Sequence, residues 1–111
     1  MSLPAGMTIV SIMTRKAETR TVTVKIEGRV QGVYYRAWTD QTARSLGLDG
    51  WVRNASDGSV EAVFSGPAET VADMLERCKD GPPDAKVTAV TITDEGGAPP
   101  SGFRVIGTNW R

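Results

Sequence analysis

Two short stretches of this sequence carry residues whose types and spacing can do chemistry. The first, Gly28-Arg29-Val30-Gln31-Gly32-Val33-Tyr34-Tyr35-Arg36, joins the end of a strand to the start of a helix. Gly32 permits a backbone turn that other residues resist. Successive N–H groups in such a turn can face one concavity, a nest for an anion. The helix that follows adds a partial positive charge of about half a unit at its N-terminus. Arg36 offers a planar fork of donors that matches phosphate oxygens. On these grounds alone the stretch also reads as an ordinary strand-to-helix loop with a surface arginine. The second stretch is Gly50-Trp51-Val52-Arg53-Asn54, followed by Asp57-Gly58. Asn54 falls where a strand meets a hairpin turn, a place where asparagine often bonds only the local backbone.

The rest of the composition narrows the chemistry. The 111 residues contain no histidine and one cysteine, Cys78. That excludes a histidine-based triad, a zinc site of the usual nitrogen and sulfur type, and an internal disulfide. Cys78 is expected to be a packed or surface thiol, remote from the chemistry. Lys plus Arg and Asp plus Glu both number 13, so the net charge is zero. A nucleic-acid binder usually carries a large basic excess, so no nucleic-acid partner is expected. No stretch approaches the roughly 20 apolar residues of a membrane span. The mildly apolar run from Met7 to Met13 has no positive residue before it and makes a poor signal peptide. The protein is read as cytoplasmic, without a membrane partner, and as a monomer by default.

The elements that must position these residues can be read from periodicity. From Thr21 to Glu27, Val22, Val24 and Ile26 share one face and Thr23, Lys25 and Glu27 the other, the pattern of a half-buried strand. A helix starts near Arg36 and stops at Gly47, with Tyr35, Thr39, Ala43 and Leu46 as its inward stripe. Trp51 to Asn54 is a second strand, with Trp51 expected in the core. Ala55-Ser56-Asp57-Gly58 is a turn, and Val60, Ala62 and Phe64 mark a third strand. Gly66 at the cap, Pro67 at the first helical position and Glu69 in the first turn open a second helix, whose apolar face is Val71, Met74, Leu75 and Cys78. Val87 to Thr93 is β-rich, and Phe103 to Ile106 is a short last strand. The order predicts an α+β fold of the ferredoxin-like split βαβ type (βαββαβ), an antiparallel sheet with two helices on one face. Residues 20–107 form this domain, 1–19 an extension outside the core, and 108–111 a tail.

The two motifs together resemble one family, the acylphosphatases. Ile26 to Arg36 is similar to its first motif, and Gly50 to Asn54, with Gly58, Val60 and Gly66 at matching offsets, to its second. Asn54 follows Arg36 by 18 residues, as the family's pattern asks. Ala43, Leu46 and Gly47 also fit, and the resemblance covers roughly residues 20 to 107. It implies a hydrolase that splits an acyl phosphate, its small substrate, into carboxylate and inorganic phosphate by direct attack of water. It assigns phosphate binding to Arg36 and to the loop amides of Gln31, Gly32, Val33, Tyr34 and Tyr35, and the orienting of water to Asn54. Arg36 and Asn54 are thus the expected catalytic residues, with no metal, nucleotide or other cofactor. One departure is visible: the family usually has phenylalanine or methionine where this chain has Tyr35, and the added hydroxyl must find a partner or reach solvent.

The alternative is a non-catalytic ferredoxin-like module that binds phosphate or RNA, since one fold hosts many functions. An RNA binder of this fold should show a Lys/Arg-Gly-Phe/Tyr-Gly/Ala-Phe run, which is absent from the sequence. The same domain type occurs within the larger hydrogenase-maturation proteins, and the length of 111 residues points away from that setting.

Overall fold

The computed structural model describes residues 18–107. The tail at 108–111 and all but the last two residues of the proposed extension lie outside the described residues. Strand β1, Thr19–Arg29, buries Val22, Val24 and Ile26 completely on one face. Each such side chain contributes about 1.5–3 kcal/mol relative to leaving it in water. The strand starts two residues before the alternation suggests. Thr19 pairs with Pro67, and the Ala68 N–H donates to the Glu18 carbonyl at 3.0 Å.

Helix α1, Tyr35–Ser45, buries Tyr35, Thr39 and Ala43, with Leu46 packed against the same core. It ends as the sequence suggests. Gly47 takes φ +73°, its N–H donates to the Arg44 carbonyl, and the Leu48 N–H reaches back to Ala43, each at 3.0 Å. That pair of bonds satisfies the last carbonyls of the helix, and the left-handed residue it needs is cheapest as glycine. Strands β2, Asp49–Asn54, and β3, Val60–Pro67, form the hairpin. Helix α2, Ala68–Cys78, buries Val71, Met74 and Cys78. It starts one residue later than expected, because Pro67 is still extended, with ψ 137°, and still paired in the sheet.

Strands β4, Lys86–Glu95, and β5, Phe103–Val105, complete a five-stranded sheet in the order β4-β1-β3-β2-β5. The first three neighbouring pairs are antiparallel, as expected. The last pair is not: β5 runs parallel to β2, Gly50 lying opposite Phe103 and Val52 opposite Val105. The reason is topological. The chain reverses once after β4, crosses the sheet end, and lands on the far edge beside a strand that already runs the same way. Asp49 holds that crossing by accepting the Gly102 N–H at 2.8 Å. Gly50 is required at this edge, since a Cβ there would overlap the Val63 carbonyl and its φ is +138°.

Both helices lie on one face, α1 over β2 and β5, α2 over β3 and β1. Between them and the sheet sits the core, where Phe64 and Phe103 stack with ring centroids 5.8 Å apart. Trp51 departs from expectation. It is half-buried on the helix-free face, with the Arg53 guanidinium 4.8 Å from its ring centroid and Arg53 Nε donating to Glu61 at 2.9 Å. Val52 takes the core position instead. No described helix is long and apolar enough to cross a membrane.

Candidate active site

The segment from Val30 to Tyr34 leaves β1 and enters α1 through two left-handed residues. Gly32 has φ +77°, as its type suggests. Tyr34 has φ 66° and ψ 22° and stands at the helix cap, a conformation that costs a side-chain-bearing residue about 1 kcal/mol or more. No signal in the sequence marks Tyr34 for this role. Its ring is 80 % exposed, so core packing does not explain it, whereas its neighbour Val33 is buried and anchors the loop. Left-handed turns of this sort aim successive N–H groups into one concavity. Among the described residues, no backbone N–H from Gln31 to Ala37 donates to a backbone carbonyl. The helix has no side-chain cap and no acidic residue in its first turn. Its positive end therefore stays uncompensated among the described residues.

Arg36 lies one residue inside that helix end and makes no ion pair among the described residues. It lines a cavity of about 460 Å³ whose other walls are Val30, Gly32, Tyr34, Tyr35, Ala37 and Val105. Of the loop residues named from the sequence, the structure thus gathers Gly32, Tyr34, Tyr35 and Arg36 on one cavity. Val33 and Gln31 are not among its walls, and neither is Asn54.

Asn54 occupies the end of β2, opposite Val60, which is itself opposite Ile26. These three form a row across the sheet, and alternation from Val52 puts Asn54 on the helix-bearing face. Its Oδ1 is buried without a hydrogen-bond partner, the one such side-chain atom among the described residues. A buried polar atom left unpaired costs about 1–3 kcal/mol, so it calls for an explanation. Beyond Asn54 the chain turns tightly. Asp57 accepts the Ser59 N–H at 3.0 Å and its hydroxyl at 2.6 Å, and pairs with Lys25 at 3.0 Å. The Ser59 bonds, then Lys25, hold the Asp57 carboxyl below the usual carboxylate range.

The Tyr35 hydroxyl, whose partner the sequence left open, donates to the Cys78 carbonyl at 2.6 Å. It ties the start of α1 to the end of α2. Burial holds the phenol well above its ordinary range and pushes the Cys78 thiol up to about 12. Cys78 is fully buried and stays a neutral thiol at physiological pH, so it is a packing residue and no nucleophile. Tyr35→Phe is expected to lose about 1 kcal/mol, the net worth of one buried hydrogen bond, and so to lower the Tm by about 4–8 °C. Thermal melts of both proteins check this; an unchanged Tm would mean that the bond adds nothing.

Fold and site together define a class: a split βαβ sandwich with two left-handed residues and an arginine-lined cavity at the β1–α1 junction and a buried, unpaired amide oxygen at the end of β2. The comparison with known proteins is more particular. The acylphosphatase family model matches residues 22–105. The chain is 50% identical to an acylphosphatase of Rhizorhabdus wittichii over 80 residues, 72% of this chain and 81% of the relative. It is 50% identical to one of Rhodospirillum rubrum over 84 residues, 76% of this chain and 92% of that protein. The solved acylphosphatase of Coxiella burnetii superposes with a TM-score of 0.75 at 36% identity, over 79% of this chain and 93% of that one. The chain belongs to the acylphosphatase family.

Proposed function

We propose that this chain hydrolyses acyl phosphates to carboxylate and inorganic phosphate, with Arg36 and the loop amides binding the phosphoryl group and Asn54 placing the attacking water. The observation that carries this reading is the run of unused backbone N–H groups beside Arg36. A phosphate dianion supplies the acceptors that these donors lack. The reaction suits a site without histidine. The departing carboxylate has a conjugate-acid pKa of about 4 to 4.5, so it leaves without a general acid. Phosphoryl transfer passes through a loose transition state in which positioning and charge stabilisation do most of the work. Each well-aimed donor supplies about 3 kcal/mol. Asn54 brings an amide with an unpaired buried oxygen, an acceptor that a water in the site can satisfy. Asparagine is a poor base, so a phosphoryl oxygen takes the water's proton. The cavity next to Arg36, walled by Val30, Ala37 and Val105, leaves room for the acyl group. We also read the chain as a cytoplasmic monomer, and the balanced charge argues against a nucleic-acid partner.

The test is phosphate release from an aryl acyl phosphate. Turnover is expected to be unchanged by EDTA, and inorganic phosphate is expected to compete with substrate, because the cradle recognises the dianion. Activity lost to EDTA and restored by a divalent ion would overturn the cofactor-free mechanism. Purely noncompetitive inhibition would put the anion site elsewhere.

A further inference from the structure

The Gln31 side chain leaves the anion loop and clasps the hairpin that carries Asn54. Its Nε2 donates one proton to the Ala55 carbonyl at 2.9 Å and the other to the Ser59 carbonyl at 2.8 Å. Those two residues form the neck of the turn, since the Ala55 N–H also donates to the Ser59 carbonyl at 2.9 Å. Both amide protons of Gln31 are used, each in a normal geometry. Among the described residues these two are the only side-chain hydrogen bonds between the loop and the hairpin. The turn does not need Gln31 for its own shape, because Asp57 and Ser59 already close it from within. What the clasp adds is a fixed separation between two backbones: the one that supplies the phosphate cradle, and the one that ends in Asn54.

We infer that Gln31 is a positioning residue, whose side chain sets the distance between bound phosphate and the water held by Asn54. The inference rests on the roles proposed above for the loop and Asn54. In-line attack depends on that distance, and a misplacement of about 1 Å can cost a factor of about 10² in rate.

A double-mutant cycle on kcat tests this, with Gln31→Met, which keeps the length and removes the donors, and Asn54→Ala. Gln31→Met is expected to lower kcat about 10-fold or more, with a smaller loss of inorganic phosphate affinity. In the Asn54→Ala background the same substitution is expected to cost less than about 2-fold, because the water it positions is no longer held. Losses that multiply in full would make Gln31 a general support of the cradle and overturn the inference, leaving Asn54 untouched. So would an unchanged kcat in Gln31→Met. If Asn54→Ala itself keeps its kcat, the water-placing role fails and the positioning role falls with it. Gln31→Asn, one methylene too short to span the gap, repeats the cycle should the methionine variant not fold. Failure of both to fold would assign Gln31 to stability alone.

Discussion

Arg36→Lys is expected to lose turnover by about 10²-fold or more although the positive charge remains. A guanidinium presents parallel N–H donors to two phosphoryl oxygens at once, and an ammonium is a single point charge. The position sharpens the effect. Arg36 sits inside the first turn of α1 and lines the same cavity as Gly32, Tyr34 and Tyr35, so under the proposed mechanism an ion placed differently also loses alignment with the loop amides. Arg36→Ala is expected to lose phosphate affinity together with turnover. Steady-state kinetics and inhibition by inorganic phosphate measure both. Near-normal turnover in the lysine variant would remove Arg36 from the mechanism.

For Asn54→Ala the expected result has a different shape. Here kcat falls by about 10² or more while phosphate affinity survives, because the water loses its near-attack position and the cradle is untouched. Relief of the unpaired buried oxygen should leave stability unchanged or slightly raised. A merely structural asparagine would show the reverse, a drop in stability with the rate intact. If Asn54→Ala loses phosphate affinity as severely as Arg36→Ala, then Asn54 is an anion ligand and does not place water.

Most of the fold was legible in the sequence because its signals are local. The alternation of Val22, Val24 and Ile26, the stop at Gly47 and the turn at Asp57-Gly58 each depend on a few adjacent residues. What escaped depends on distant ones. Phe103 to Val105 shows nothing of which edge it will join or in which direction, since a three-residue strand takes its partner from the topology around it. Trp51 reads as core by its type, yet the pleat puts it on the open face, where Arg53 shields its ring. Pro67 reads as a helix start, but its pairing with Thr19 keeps it in the sheet. The site divides in the same way. Its two motifs stand out through their glycines and Arg36, whereas the left-handed Tyr34 and the reach of Gln31 to residues 55 and 59 belong to the assembled backbone.

The interior place of β1 has a consequence in time. Its neighbours are β3 and β4, so Val22 pairs with Phe64 on one side and with Glu95 on the other. Nothing near β1 in sequence can hold it in place. Helix α1 and the β2–β3 hairpin are built from local contacts and can form early, whereas β1, which leads into the loop before α1, must wait for β3 and, for its second partner, for β4. Topologies with such separations close slowly, because loop entropy is lost before the contacts that repay it are made. A nascent chain released only as far as α2 therefore holds Arg36 and Asn54 but lacks both β4, the second partner of β1, and Val105, which walls the cavity beside Arg36.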